Sequence, residues 1–249
     1  MIKKLKKIYA REQFIPSFWS IFINPYFFLR KGLLKGISAH SYHMKGVMLD
    51  FGCGCKPYEE LFNVDKYIGL DIEQRGHNHT NEKIDVFYDG KTIPFKSKYF
   101  DSFFSSEVFE HIFNLEEILL EINRVLKIGS KILITVPFVW DEHEKPCDYA
   151  RYTSFGISFL MEKYGFKVIK IDKSTNSIET IFQMINTYIH QKILPWNKYL
   201  KFVLTLLFIS PINIFGLFLS KILPKDYGFY NNNIILAEKT EDVTIKRGF

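Results

Sequence analysis

Cysteine is too scarce here to build a framework. Only three of the 249 residues are cysteine. Cys53 and Cys55 stand one residue apart inside a glycine-bearing turn, too close for an ordinary bridge, and Cys147 is remote. That excludes a disulfide-stapled secreted module and points to a reducing, cytoplasmic compartment. Zinc-site spacing is also missing: among His111, His143 and Cys147 no ligand pair has it, so no metal is expected. No RNA- or DNA-binding signature occurs, and nucleic acid is not an expected partner. The apolar stretch Phe14–Ile23 is interrupted by Pro16 and lacks a small-residue cleavage site, so a secretory signal peptide is not expected.

What is present is a greasy, basic, globular composition. Hydrophobic residues make up 47%, aromatics 17%, and the net charge is +6. Much of that charge is local, because Lys3, Lys4, Lys6, Lys7 and Arg11 crowd the start of the chain. A basic, aromatic-rich end suits an anionic membrane surface better than a nucleic-acid groove. Ile2, Leu5 and Ile8 recur at helical spacing among these lysines, and a helical arm over residues 1–46 is expected.

The organising stretch is Val47–Tyr58, VMLDFGCGCKPY. A short apolar strand ends in Asp50, and Gly52 and Gly54 follow on alternate positions. Strand, glycine turn and helix in that order are how open α/β sheets seat a nucleotide-like ligand. Glycines let the backbone approach the ligand and leave N–H groups free to face it. The third glycine of a dinucleotide fingerprint is absent, and Lys56-Pro57 stands in its place. A second strand, Tyr67–Ile72, carries Asp71 at its end, close to the ~20-residue offset at which an acid meets a ribose. A third, Ile84–Tyr88, leads to Asp89, placed to accept an adenine amino hydrogen. Phe100–Ser105, Lys131–Val136 and Phe166–Ile171 read as further strands, with helices at Glu116–Leu126 and Thr153–Tyr164. The first of those helices is expected to stop at Lys127-Ile128-Gly129. This alternation predicts an α/β, Rossmann-like, doubly wound and mostly parallel seven-stranded sheet over residues 47–175. Asn233–Lys239, within residues 231–249, supplies its last strand.

Between them, residues 176–230 form a hydrophobic helical insertion. Phe202–Ser220 carries no charged residue and has lysines on both sides. Its length qualifies as a membrane span. Pro211 at its centre, and the need for Asn233–Lys239 to rejoin the sheet, predict instead a helical pair broken at Pro211 that dips into the interface and returns. Peripheral or re-entrant contact through Phe202–Leu223 is the expectation, with a lid or dimer surface as its soluble alternative.

Together LDFGCG (Leu49–Gly54), IGLDI (Ile68–Ile72), Asp89–Phe95, FDSFFSSEVFEHI (Phe100–Ile112) and EINRVLKIGSKILITVPF (Glu121–Phe138) resemble the class I S-adenosylmethionine-dependent methyltransferases of the type 11 group. The turn GCGxKPY and the run Pro137–Gly156 resemble one bacterial branch of it. The resemblance implies S-adenosylmethionine as cofactor. It assigns Asp50, Gly52 and Gly54 to the methionine end, Asp71 to the ribose, Asp89 to adenine, and Ser106 and Glu107 to the cleft floor. His111 fills the histidine of its EH stretch, as a helix-start or acceptor-lining residue. Transfer from a sulfonium is a direct displacement, so an acceptor that must lose a proton needs a base nearby. Asp141, His143, Glu144 and Asp148 follow the fifth strand at the ligand-binding end of the sheet. His143 is the leading base, with Glu144 and Asp148 beside it as catalytic candidates. Asp141, Arg151 and Tyr152 are candidate acceptor contacts, the last two as a clamp for an anionic group. The acceptor is expected to be a small molecule or lipid- or sugar-linked, met at the cytoplasmic membrane face. A nicotinamide-dependent oxidoreductase, or a non-catalytic membrane scaffold keeping this fold, are the alternatives the sheet also allows.

Overall fold

The computed structural model describes residues 9–73 and 83–243. The basic segment with Ile2, Leu5 and Ile8 lies outside them. The chain forms two compact units, one of Ile37–Asp172 with the chain from Asn233, the other of the chain up to Gly36 with Lys173–Asn232.

The first unit is built on a seven-stranded sheet. Its strands are β1 (Val47–Phe51), β2 (Lys66–Ile72), β3 (Val86–Tyr88), β4 (Phe100–Ser106), β5 (Leu126–Pro137), β6 (Phe166–Lys173) and β7 (Asn232–Lys239), in the order β3-β2-β1-β4-β5-β7-β6. β1 pairs in parallel with β2 and β4, placing Asp50 opposite Gly69 and Phe104. The order reverses beside β1, which is where open α/β sheets bind ligands. β1 and β4 are apolar because both faces are covered: Leu49, Phe51, Phe100 and Phe103 are buried with Ile118, Leu119 and Ile122 of a flanking helix.

That helix runs over Leu115–Val125, and Leu126 already belongs to β5. The expected stop at Lys127-Ile128-Gly129 is thus not a helix end. These residues form an irregularity in β5 between the pairings Phe100↔Leu126 and Ser102↔Lys131, with Gly129 at φ +85°. A buried side chain of β7 does the capping instead: Lys239 Nζ donates to the carbonyls of Asn123 and Leu126 at 2.7 and 2.9 Å. The other expected helix, Ser154–Lys163, starts at Thr153, whose hydroxyl accepts the Gly156 N–H. After the glycine turn the chain makes only a short 3₁₀ turn, Glu59–Leu61.

The second unit is helical. Ser20–Ile23 and the first part of Phe27–His40 belong to it, with Ser177–Tyr188 continuing through a π turn, Ile189–Ile193. A turn at 194–197 then leads into Lys198–Ile222, a continuous 25-residue helix. The expected pair broken at Pro211 is therefore a single continuous helix, and the chain turns before it, at 194–197. Pro211 sits at the start of the α-helical part Ser210–Ile222, just after a π turn, Thr205–Ile209. The wider π turn already departs from the i→i−4 ladder where the proline ring would clash, so the helix passes through.

Candidate cofactor turn and acceptor cluster

The glycine turn is held from below. Gly52 and Cys53 both donate their N–H to the Leu70 carbonyl at 2.8 and 3.1 Å, and Gly54 donates to Asp71 Oδ2 at 2.8 Å. The expectation that the turn leaves N–H groups free is corrected at these three positions, because β2 lies in register beside β1 and takes them. What the turn offers a ligand is room. Gly54 has φ +46°, and a Cβ built there would meet nothing within 4 Å among the described residues.

Lys56 explains the missing third glycine. It too has a positive φ, +53°, and its side chain runs inward, to Asp85 Oδ2 at 2.5 Å and across the Tyr67 ring at 5.2 Å. Gly69 makes space for it: a Cβ there would lie 2.4 Å from Lys56 Cε and 2.6 Å from Cys53 Sγ. Burial works to raise Asp85, but bonds from Lys56 and the Gly69 N–H outweigh it and hold the carboxyl below its usual range.

The acids of this region divide. Asp71, at the end of β2, touches the turn. Asp89 is exposed after β3, its Oδ1 accepting the N–H groups of Thr92 and Lys91, which keep it low. Asp50 lies close enough to Asp71 for their charges to repel, but it is buried. It is 3% exposed, it accepts the Tyr67 hydroxyl at 2.5 Å, and burial pushes its carboxyl up to about 7.

A second group of side chains gathers where β4 and β5 end. Ser106 Oγ lies 2.9 Å from Thr135 Oγ1, and Thr135 donates to Glu107 Oε1 at 2.8 Å. Glu107 takes φ +58° at this exit. His111 Nδ1 is 2.6 Å from the Cys147 carbonyl, so that nitrogen carries the proton and Nε2 the lone pair. Nε2 lies 3.7 Å from Glu110 Oε1 and 3.8 Å from Glu144 Oε2, and the His111 and His143 rings meet edge to face at 4.7 Å. His143 Nδ1 faces two acceptors at 3.3 Å, Asp148 Oδ2 and the Asp141 carbonyl, while its backbone N–H donates to Asp148. The loop thus places Glu144 and His143 beside His111, with Asp148 beside His143.

Arg151 is another matter. Nε donates to the Trp140 carbonyl, and NH1 and NH2 grip Asp148 at 2.6 and 2.7 Å while also reaching the carbonyls of Ala150 and Asp141. Its five donors are all committed, so it is no clamp for an anionic acceptor. It shapes the loop, and its bonds hold Asp148 well below the usual carboxylate range. Tyr152 is half-buried, which raises its hydroxyl, and its N–H is anchored to the Pro137 carbonyl.

Sequence reasoning passed over Glu110. It sits in the 3₁₀ turn Phe109–His111, fully buried, with no hydrogen-bond partner on either carboxylate oxygen among the described residues. Burial, then the neighbouring Glu107, pushes its carboxyl well above the usual range. Only its place beside His111 in the EH pair hinted at a role.

Sheet order, glycine turn and terminal acids define a Rossmann-like α/β domain. Residues 49–134 match the family model of a methyltransferase domain. Two uncharacterized proteins of Methanocaldococcus jannaschii are similar. MJ1123 is 28% identical over 57% of this chain and 72% of its own length, and MJ1252 is 37% identical over 38% of each. Among solved structures, the cyclase SpnF superposes with a TM-score of 0.53 at 17% identity, over 84% of this chain and 81% of that one. Phosphoethanolamine N-methyltransferase 2 of Haemonchus contortus, in complex with S-adenosyl-L-methionine, gives 0.52 at 18% over 92% and 59%. An S-adenosylmethionine-dependent methyltransferase of Mesorhizobium loti gives 0.51 at 11% over 85% and 99%. The chain has the fold of the S-adenosylmethionine-dependent methyltransferases, and residues 49–134 match a methyltransferase domain. The open backbone at Gly54, with Asp71 and Asp89 at the ends of β2 and β3, fits that cofactor.

Proposed function

We propose that this enzyme methylates a hydroxyl of a lipid-linked or small polar acceptor at the cytoplasmic membrane face. The cofactor supplies an activated methyl group on a sulfonium. The chain's own residues seat the cofactor at Gly54, Asp71 and Asp89, orient the acceptor, and accept its proton. His143, positioned by Asp148, and Glu144 are the groups for that last task. A reducing compartment agrees with Cys53, Cys55 and Cys147, which form no disulfide.

The observation that carries the membrane reading is the burial pattern along the helices Ser177–Tyr188 and Lys198–Ile222. They bury Thr180, Gln183, Asn186, Thr187, Ser210, Asn213 and Ser220, whereas Phe202, Leu207, Phe208, Ile214, Phe215 and Phe218 are exposed. Asn186 donates to Asn213 at 2.8 Å, Asn213 to the Ile21 carbonyl at 2.8 Å, and Asn176 to Ser220 at 2.9 Å. Small and amide-bearing residues inside, with apolar residues outside, is how helices pack in lipid. Trp196 is fully exposed in the turn at 194–197, with Lys192, Lys198 and Lys201 close by in sequence, the residues that favour a headgroup layer.

The test is flotation of full-length protein with anionic vesicles, and transfer of labelled methyl from S-adenosylmethionine into cell extracts. Label should enter the solvent-extractable lipid fraction, and flotation should weaken with salt. Protein that ignores anionic vesicles at low salt sinks the membrane reading, and label confined to water-soluble products redirects the acceptor. Asp71→Ala should weaken cofactor binding by roughly 1.5–3 kcal/mol, the scale of hydrogen bonds to a charged group. Calorimetry checks this.

A further inference from the structure

We infer that Glu110, His111 and His143 form a binding site for one divalent metal ion of the imidazole-preferring class, such as Zn²⁺. One ligand atom from each lies within 4.8 Å of the others. Among the described residues the buried Glu110 carboxylate has no hydrogen-bond partner, and His111 Nε2 stands 3.7 Å from it. A buried acid without donors is costly unless something cationic completes it.

The surroundings are those of metal-binding histidines. A ligating imidazole usually donates its other N–H to a carbonyl or carboxylate, which fixes the tautomer and aims the lone pair. His111 does so to the Cys147 carbonyl at 2.6 Å. His143 does so toward Asp148 and the Asp141 carbonyl, both at 3.3 Å. Arg151 grips the same Asp148 through two bonds, holding that acceptor in place.

With bonds of ~2.1 Å, ligands of a tetrahedral ion stand about 3.4 Å apart. The Glu110–His111 pair, at 3.7 Å, is close to that already, and all three ligand atoms lie within 4.8 Å of one another. Two imidazoles and one carboxylate suit zinc-like ions over magnesium or calcium, and three protein ligands leave a position open for an outside oxygen. With the ion bound, His143 is a ligand, and Glu144, 3.8 Å from His111 Nε2, is left to accept a proton. The spacing along the chain hides this cluster, because the carboxylate adjoins one histidine and the other comes from a loop beyond β5.

Ion binding stands apart from methyl transfer and is tested on its own. Tag-free, chelator-stripped full-length protein is titrated with Co²⁺, whose visible absorption reports its ligands, and with Zn²⁺ in a calorimeter. One ion per chain is expected, with Zn²⁺ displacing Co²⁺ and raising the melting temperature. Glu110→Gln keeps the shape of the buried side chain and should lose affinity by at least ~10-fold, as should His143→Ala. Zn²⁺ should no longer raise the melting temperature of Glu110→Gln. Absence of saturable binding overturns the site. So does a smaller loss in Glu110→Gln, or in His143→Ala shown to be folded by circular dichroism, whatever the methyl-transfer assay reports.

Discussion

Around Phe103 the sheet unit buries rings and branched aliphatic chains, and around Asn213 the helical unit buries amides and hydroxyls while turning Phe215 and Phe218 outward. Water alone rewards the first arrangement, since apolar area removed from it drives folding. The second is favoured where the surroundings are themselves apolar and the polar groups must satisfy one another. One chain thus carries two kinds of interior, and on the proposed membrane reading the second meets lipid. A catalytic function fits the first, where strand ends hold charged groups in fixed positions, and attachment fits the second.

The largest test of this contrast is Phe103→Ala, at the centre of the sheet, where the ring is fully buried. Denaturant unfolding should show a loss of about 3–5 kcal/mol, the usual cost of emptying such a site. A loss under 1 kcal/mol would mean the sheet core is not the stabilising centre described.

Asp50→Asn probes the same unit through pH. Burial raises the Asp50 carboxyl to about 7 from 3.8. The folded state therefore binds this proton more tightly than the unfolded chain does. Its contribution is fully present below the unfolded value and is lost as pH rises through the folded one, between about 4 and 7. Relative to the Asn variant, wild type should lose several kcal/mol of stability across that window. Parallel curves for the two proteins would show that Asp50 keeps an ordinary carboxyl.

In the helical unit, Asn213→Leu should cost about 1–3 kcal/mol, because it strands the Asn186 amide and the Ile21 carbonyl without partners. Replacing Asn186 and Asn213 together by Leu should cost less than the two single changes combined, since both ends of one bond are removed. Strict additivity in detergent or lipid would argue that the network is not a network.

The smallest effect on folding is expected outside. Phe215→Ser with Phe218→Ser alters rings that are 54% and 56% exposed. Stability should shift by no more than about 0.5 kcal/mol per residue. Vesicle binding should nevertheless weaken by roughly 1 kcal/mol per ring, about fivefold each. Unchanged vesicle affinity would move the attachment to another face.

The strands and their order of appearance were legible in the chain, because a parallel sheet covered on both faces demands short, near-continuous apolar runs, and Val47–Phe51 and Phe100–Ser106 are such runs. The acids at strand ends were legible for the same reason: Asp71 and Asp89 stop those runs where a ligand binds. The uncharged run Phe202–Ser220 was legible as helical, but its continuity through Pro211 was not. What side chains do once packed was not legible. Arg151 reads as a free cation until five acceptors surround it, and Asp50 as a cofactor contact until Tyr67 closes over it. Lys56-Pro57 looks like a lost glycine until Lys56 is seen to fill the space beside Gly69. Glu110 gives no periodic signal, and its isolation exists only once Phe109–His111 turns it inward. Local propensity and apolar periodicity act over a few residues and are written in the sequence. Hydrogen-bond satisfaction and desolvation depend on residues far apart in the chain, and only the tertiary structure decides them.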